Sequence, residues 1–208
     1  MAYIAKKHHR RSIRLQGYDY SQPGMYFVTV CTEGRELLFG EVVKGAMVEN
    51  EYGKAARTCW EEIPHHFQRA ELDVFVVMPN HVHGILIIAD KIRTSHASVG
   101  AQHAAPLPWR ASCPNVSPGS LGAIIRPFKS AATNRINDLR GTPGVPFWQR
   151  NYHEHVIRNE EDLHRIRNYI LTNPLRWELD RENPARRGED EFDHWLASLS
   201  SKRDRAKK

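Results

Sequence analysis

Hydrophobic residues in the first part of the chain follow two periods, that of a strand and then that of a helix. Residues Tyr26–Thr32 alternate and are rich in β-branched side chains, which predicts a strand. A turn at Glu33-Gly34 leads to a second predicted strand over about Glu36–Val43. Apolar side chains then recur at helical spacing over Met47–Ile63, which predicts an amphipathic helix that ends at Pro64.

Two longer apolar runs follow, Leu72–Met78 and His81–Ala89, on either side of Pro79-Asn80. Nearly every residue in them is apolar, as is expected of central strands that are covered on both faces. The composition then changes. Residues from about 91 to 117 are rich in Ala, Ser, His and Pro and show no period, which indicates a loop insertion.

A long helix is predicted after the insertion. Ser117-Pro118 has the form of an N-cap followed by proline at the first helical position. Apolar residues then line one face from Leu121 to Leu139, and Pro127 within this stretch should kink the helix. The next segment, Phe147–Ile157, is predicted to be a short strand or irregular.

The last part of the chain contains one clear helix and a charged end. Asn159 caps a helix over Glu160–Asn173, acidic residues follow the cap, and Pro174 ends the helix. Beyond about residue 179 the chain is polar and charged. A final apolar cluster predicts a short helix that docks on the domain, and its members are Phe192, Trp195, Leu196 and Leu199.

The order of these elements predicts an α+β fold. Two strands and a helix, repeated, with antiparallel character, are nearest to a ferredoxin-like antiparallel sheet with helices on one face. We divide the chain into a basic N-terminal arm (residues 1–15), a domain over 16–178 with a loop insertion at about 91–117, and a charged C-terminal tail over 179–208.

Composition excludes several classes of protein. Hydrophobic residues make up 40% of the 208 residues and charged residues 26%, an ordinary globular mixture. No apolar run approaches the roughly 18 residues that a membrane span needs, and the basic N-terminus lacks the apolar stretch of a signal peptide. Three cysteines without CxxC spacing argue against a zinc ribbon or a disulfide framework, so we expect a cytoplasmic protein.

The net charge of +6 and the pI near 9.3 suit a polyanionic partner, most simply a nucleic acid. Many basic proteins bind no polyanion, so charge alone does not decide the function.

His81 and His83 are the most informative pair of residues. Alternate residues of a strand point to the same face, so the two imidazoles are expected side by side, with Val82 in the opposite layer. Two imidazoles at this spacing suit one divalent cation. The plainer interpretation is a pair of surface histidines, since the chain has 12 histidines, and two other pairs occur at His65-His66 and at His153 and His155.

Tyr169 and Asn173 lie four residues apart on the late helix and therefore share a helical face. In the plainer interpretation Tyr169 borders the core and keeps its hydroxyl in water. In the functional interpretation it is a nucleophile, because a tyrosinate can attack a phosphodiester and divide one difficult transfer into two steps. A metal ion would polarise the scissile phosphate.

Four segments together resemble the single-tyrosine HUH transposases, and within them the REP-associated tyrosine transposases. The resemblance covers about residues 10–178 except the insertion, and the combined motifs are far more specific than His-x-His alone. The segments are MPNHVHGILII, FWQRNYHEHVIRNEEDLHRIRNYILTNPLRW, RRSIRLQGYDYSQPGMYFVTVCT and LGAIIRPFKSAATNRIN.

The resemblance implies an HUH endonuclease fold with a metal site and a tyrosine nucleophile. His81 and His83 match the histidines that bind Mg²⁺ or Mn²⁺, and Tyr169 matches the nucleophile on the late helix. Relatives with a glutamine one turn after the tyrosine align it with Asn173, which is shorter by one methylene. Tyr152, in the motif FWQRNYHEH, is the rival nucleophile.

The implied reaction is transesterification on single-stranded DNA near a hairpin or palindromic repeat, through a 5′-phosphotyrosine. Each basic candidate has a plainer role as a solvated charge, and Trp148 as a core aromatic. The residues predicted to contact DNA are Arg10, Arg11, Arg14, Arg126, Lys129, Trp148, Arg150 and Arg158.

Two alternatives stay open at this point. In the first, the chain binds hairpin or repeat DNA without catalysis. In the second, it is an unrelated metal-dependent hydrolase. Relatives include monomers and homodimers that exchange the tyrosine helix, so both states are possible, and a DNA-processing protein is expected in the cytoplasm with the nucleoid.

Overall fold

The computed structural model describes residues 17–90 and 117–205, with side chains as far as residue 199. The predicted basic arm, with Arg10, Arg11 and Arg14, and almost all of the predicted insertion lie outside the described residues. None of the helices in the two described ranges is long and apolar enough to cross a membrane. In chain order the elements are β1 (Gly24–Cys31), β2 (Gly40–Val43), β3 (Ala46–Glu49), α1 (Glu51–Glu61), α2 (Ile63–His66), β4 (Ala70–Met78), β5 (His81–Ile88), α3 (Leu121–Arg140), β6 (His153–Ile157), α4 (Glu160–Thr172) and α5 (Glu191–Arg205).

Four strands form one sheet in the order β4-β5-β1-β6, and every neighbouring pair is antiparallel. Strands β4 and β5 form a hairpin across Pro79-Asn80. They correspond to the two long apolar runs of the sequence. With α1 after β1 and α3 after β5, the chain has the β-α-β-β-α-β order of a ferredoxin-like fold. The predicted α+β class and sheet are confirmed.

A small hairpin lies between β1 and α1. Its first strand, β2, falls within the strand predicted over about Glu36–Val43, whereas its second strand, β3, was not predicted. Strands β2 and β3 pair across Lys44 and Gly45, which have φ angles of 51° and 77°. Two positive φ angles define the tight hairpin turn that follows the twist of the strands. The predicted helix over Met47–Ile63 therefore begins too early: the first residues belong to β3, and α1 begins after Asn50, whose side chain accepts the backbone N–H of Tyr52 and Gly53.

Helices α1 and α3 cover one face of the sheet. The indole of Trp60 on α1 lies edge-on to the ring of Phe128 on α3, with centroids 5.0 Å apart. The Trp60 indole packs over β5 at Gly84, where a Cβ atom would overlap it. The other buried apolar residues of this face include Val28, Val30, Val82, Leu86, Ile124, Ile125 and Ile136.

Helix α3 begins three residues later than predicted. The N-cap is Ser120, whose Oγ accepts the backbone N–H of Ala123 at 3.3 Å, and Ser117 lies before the helix. The helix continues through Pro127 without interruption as far as Arg140. Pro127 lacks the N–H that would bond to the carbonyl one turn earlier, but packing of the apolar face on both sides of it maintains the helix.

Helices α4 and α5 cover the opposite face, so the sheet is enclosed by helices on both sides and not on one side as predicted. Phe27 and Ile85 from the sheet pack there against α4 and against Phe192 and Leu196 of α5. The predicted docking helix is confirmed. Part of the segment predicted as a charged tail is therefore buried against the domain. The histidine pair lies on this second face of the sheet.

Candidate metal centre and active site

His81 and His83 project from β5 into the layer between the sheet and α4. The alternation along the strand places Val82 in the core of the first face, as predicted. The two imidazole rings lie 4.2 Å apart between centroids, and both side chains are buried. They are therefore not the surface pair of the plainer interpretation.

The Nδ1 atom of each imidazole is held by a neighbouring side chain. Asn80 donates from Nδ2 to the carbonyls of Arg35 and Glu182, at 3.1 and 2.8 Å, which fixes its amide so that Oδ1 faces His81 Nδ1 at 2.8 Å. Because Oδ1 can only accept, Nδ1 of His81 carries the proton and Nε2 has a free lone pair. Thr29 Oγ1 lies 2.9 Å from Nδ1 of His83, and this hydroxyl can either donate or accept.

Asp180 brings a carboxylate to the histidine pair. Its Oδ2 lies 3.9 Å from Nε2 of His81 and 3.7 Å from Nε2 of His83. Within the described residues, these three side chains form the one group of His, Cys, Asp or Glu ligand atoms close enough to share a metal ion. The sequence analysis missed Asp180 because it lies in the polar segment that we assigned to the tail.

Asn173, the predicted third ligand, lies beside the same carboxylate. Its Nδ2 donates to Asp180 Oδ2 at 2.6 Å, whereas its buried Oδ1 has no hydrogen-bond partner among the described residues. The chain leaves α4 at Thr172 and turns through a 3-10 segment, Asn173–Leu179, that delivers Asp180 back to the end of the helix. The amide of Asn173 thus lies against the carboxylate that faces the two imidazoles.

The donor set suits a divalent cation. Nε2 of His81 is buried and has no hydrogen-bond partner among the described residues, and a buried unpaired acceptor normally requires a ligand or an ion. Burial, together with the neighbouring His83, lowers the pKa of His81 to about 3, so its imidazole stays neutral and able to coordinate. Two imidazoles and one carboxylate, with an amide oxygen nearby, fit the residues that bind Mn²⁺ or Mg²⁺.

The hydroxyl of Tyr169 lies at this centre. It donates to Asp180 Oδ2 at 3.0 Å and is 3.2 Å from Nε2 of His83. The ring is 3% exposed and stacks on Phe192 of α5, with centroids 3.7 Å apart and planes 8° from parallel. The predicted shared face of Tyr169 and Asn173 is confirmed, because both side chains contact Asp180.

The charges around Tyr169 favour the neutral phenol. Burial and the negative charge of Asp180 raise the pKa of Tyr169 well above its usual value. Burial opposes ionisation of Asp180, but the adjacent imidazoles and the hydrogen bond from Asn173 hold its pKa below the usual range. The structure therefore contains a protonated tyrosine against an ionised carboxylate.

The rival tyrosine and the other histidine pair lie elsewhere on the sheet. Tyr152 packs against the core of the first face, on the opposite side of the sheet from His81 and His83. His153 and His155 of β6 share the face of the pair but are not part of the ligand group.

Two of the residues predicted to contact DNA make hydrogen bonds within the domain. Trp148 is buried, and its indole N–H donates to the carbonyl of Lys129 at 3.1 Å, so the core interpretation is correct and base stacking is not supported. Lys129 donates to the carbonyls of Gln149 and Arg150 at 2.6 and 3.1 Å, and burial lowers its pKa to about 8. The remaining predicted contacts in the described ranges are exposed: Arg126, Arg150 and Arg158.

An uncharacterized protein of Haemophilus influenzae is 38% identical to this chain over 179 residues, which span 86% of this chain and 96% of that protein. No protein-family model matches the chain. A REP-associated tyrosine transposase bound to a REP hairpin is similar in structure over 77% of this chain and 72% of that chain, with a TM-score of 0.49 and 18% identity. A candidate transposase from Deinococcus radiodurans is similar over 76% and 95%, with a TM-score of 0.38 and 18% identity.

Proposed function

We propose that this chain, which belongs to the same family as the Haemophilus influenzae protein, is a transposase-type endonuclease that cleaves and rejoins single-stranded DNA through Tyr169. One observation carries the proposal: the hydroxyl of Tyr169 lies within hydrogen-bond distance of both His83 and Asp180 in a group suited to a divalent cation. The sequence motifs that resemble single-tyrosine HUH transposases support it independently.

Each residue of the site has a role in this proposal. His81, His83 and Asp180 would hold the cation, with Asn173 Oδ1 as a further oxygen ligand. The bound cation would supply positive charge beside the phosphate oxygens and the phenol oxygen, which favours the phenolate. Tyr169 Oη then attacks phosphorus, the bond from phosphorus to the 3′ oxygen breaks, and that oxygen leaves with a proton as a 3′-hydroxyl. The 5′-phosphate stays on Tyr169 as a phosphotyrosine.

The released 3′-hydroxyl, or another one, reverses the step. It attacks the phosphotyrosine, restores a phosphodiester and returns the phenol of Tyr169. Strand transfer of this kind needs no nucleotide and no activated water. We propose hairpin or palindromic DNA as the substrate, a location with the nucleoid, and action as a monomer or a homodimer.

The buried position of Tyr169 sets a condition on the reaction. Tyr169 is 3% exposed, with Phe192 of α5 stacked on its ring, so a phosphodiester reaches Oη only after the residues that bury this side chain move. The same burial is the observation that favours the second candidate function, a protein that binds hairpin DNA without cutting it. We place the nuclease first because a non-catalytic binder has no need of a tyrosine hydroxyl at an ion-binding group.

The test is a covalent adduct. The protein is incubated with Mn²⁺ and 3′-end-labelled single-stranded DNA that contains a hairpin from the flanking genomic repeats, and denaturing gels reveal label bound to protein. Wild type and Tyr152→Phe should form the adduct, and Tyr169→Phe should not. An adduct that persists in Tyr169→Phe would refute the nucleophile. Hairpin binding with no adduct in any protein would favour the non-catalytic candidate.

A further inference from the structure

Three arginines are among the six residues that line a groove beside the metal centre. It has a volume of about 500 Å³ and is bounded by Arg35, Arg181, Glu182, Asn183, Pro184 and Arg186. The sequence analysis selected none of these arginines, because two of them lie in the predicted tail and Arg35 lies in a predicted turn. None of them has a part in the proposed chemistry at Tyr169.

The charges of the groove favour an anion. Glu182 pairs with Arg35 and with Arg181, both at 2.9 Å, and Asp193 lies 3.9 Å from Arg181 and 4.0 Å from Arg186. Three guanidinium groups thus face two carboxylates, which leaves one positive charge in excess. A guanidinium has five N–H donors in a planar fork, and these ion pairs use only some of them.

The backbone around the groove is held in place. Arg35 has a φ angle of 58°, a left-handed conformation that is unfavourable for a residue with a side chain and persists where the surroundings impose it. Asn80 supplies that restraint, because its Nδ2 donates to the carbonyls of Arg35 and Glu182 on the two sides of the groove. The backbone at Arg35 and at Glu182, next to Arg181, is therefore held by the same side chain.

The groove is connected directly to the proposed active site. Asp180 accepts the backbone N–H of Glu182 at Oδ1, at 2.6 Å, while its Oδ2 faces the two histidines. The Asn80 side chain that joins the two sides of the groove also accepts from His81. A DNA strand whose phosphate faces Tyr169 would therefore pass close to Arg35, Arg181 and Arg186.

We propose that this arginine groove binds a backbone phosphate of the single-stranded DNA, next to the phosphate that is cleaved. The inference rests on the proposed function for the identity of the strand, whereas the anion site itself is independent of catalysis. A backbone contact positions the strand and carries no sequence information. Free inorganic phosphate has the same chemistry and is the alternative source of the anion.

The test measures the salt dependence of DNA binding. A fluorescein-labelled, 20-nucleotide single-stranded DNA of random sequence is titrated with each protein by anisotropy at several NaCl concentrations without metal. For single strands the slope of log affinity against log salt is about −0.7 for each phosphate contact. The double variant Arg35→Gln, Arg186→Gln loses the contact to this one phosphate, so its slope should be shallower by about 0.7 and its binding weaker at low salt.

The control is Arg57→Gln, which removes a comparable half-exposed, ion-paired arginine on the other face of the sheet. It should bind DNA as wild type does. Arg186→Lys should keep the slope, because it keeps the charge, but bind less tightly because it loses the planar fork. Unchanged melting temperatures show that the variants are folded.

Three outcomes separate the hypotheses. Parallel salt plots for wild type and the double variant would refute the proposal that the groove binds DNA, even if wild type forms the Tyr169 adduct. A shallower slope without any adduct would support the groove and count against the nuclease. Calorimetric binding of inorganic phosphate that the double variant loses, with unchanged DNA binding, would assign the groove to free phosphate and overturn the DNA proposal.

Discussion

The amide oxygen of Asn80 accepts the Nδ1 proton of His81 at 2.8 Å, and this one contact determines which nitrogen of His81 faces the metal centre. A ligating histidine commonly donates its other ring N–H to such a partner, which fixes the tautomer and the ring orientation. Asn80 is itself buried and anchored to two backbone carbonyls. We therefore regard Asn80 as a positioning residue for the proposed metal site.

Replacing Asn80 with Ala should lower the affinity for Mn²⁺ by about 10- to 100-fold, the usual effect of losing an outer partner of a metal ligand. Isothermal titration calorimetry of the metal-free protein with Mn²⁺ measures this affinity. Asn137→Ala is the matched control, since Asn137 is also buried and donates to a backbone carbonyl, but on α3. Equal affinities for Asn80→Ala and wild type would contradict the positioning role.

Asp180 and Asn173 make unequal contributions in the proposed site. Asp180 offers a charged oxygen within 4 Å of both imidazoles, whereas Asn173 offers a neutral amide oxygen. Asp180→Asn should therefore weaken Mn²⁺ binding more than Asn173→Ala does, in the same calorimetric experiment. If Asn173→Ala has the larger effect, the amide and not the carboxylate is the principal third ligand.

The pattern of the sequence was sufficient to predict that the two histidines lie together, but not to predict that the carboxylate of Asp180 joins them. Alternation along β5 predicted that His81 and His83 lie together, and helical spacing predicted that Tyr169 and Asn173 face one site. Asp180 lies in a polar stretch without periodicity, and a 3-10 segment brings it back to the end of α4. Only the tertiary path of the chain places it beside His81, so no local signal identifies it.

The errors in the fold have similar causes. Met47 and Val48 fit helical spacing, but the Lys44-Gly45 turn and the Asn50 cap assign them to a strand. Trp148 is amphipathic, and its sequence context does not distinguish a base-stacking ring from a core ring. The core interpretation is correct because Trp148 packs against Phe39 and Phe128, residues distant in sequence.

Phe192 covers one face of the Tyr169 ring. Phe192→Ala should increase the rate at which tetranitromethane nitrates Tyr169, measured by peptide mapping, because it removes the ring that stacks on the phenol. The variant should also lose about 3–5 kcal/mol of stability as a large-to-small core substitution, so the reaction is run well below its melting temperature.

Leu196→Ala is the control for this effect. Leu196 is buried on the same helix and in the same core cluster, but no ring stacks there on Tyr169. It should lose about 2–5 kcal/mol of stability and leave the nitration rate of Tyr169 unchanged. Equal acceleration by both substitutions would show that loosening of α5, and not the Phe192 ring, governs access.

Gly84 on β5 is required for the packing of Trp60 against the sheet. Gly84→Ala places a Cβ atom inside the indole, and overpacking of this kind costs about 1–3 kcal/mol. Urea unfolding measures the loss. Trp60→Phe removes part of the indole, so the double variant should be more stable than the sum of the two single losses predicts. Strict additivity would contradict the proposed overlap.

The acid stability of the protein should depend on His153. Burial, with the nearby charges of Arg181 and His155, lowers the pKa of His153 to about 3 from a usual value of 6.5. The unfolded chain therefore binds a proton that the folded chain excludes between these two pH values. The free energy of unfolding should fall as the pH falls through this window, by up to about 1.4 kcal/mol per pH unit for one proton.

Urea unfolding of wild type and His153→Gln at pH 7, 6, 5 and 4 measures the contribution of His153 to stability, and the variant should lose less stability in acid. His164→Gln, which removes an exposed histidine of α4, is the control and should follow wild type. Parallel curves for wild type and His153→Gln would show that His153 does not carry this acid sensitivity.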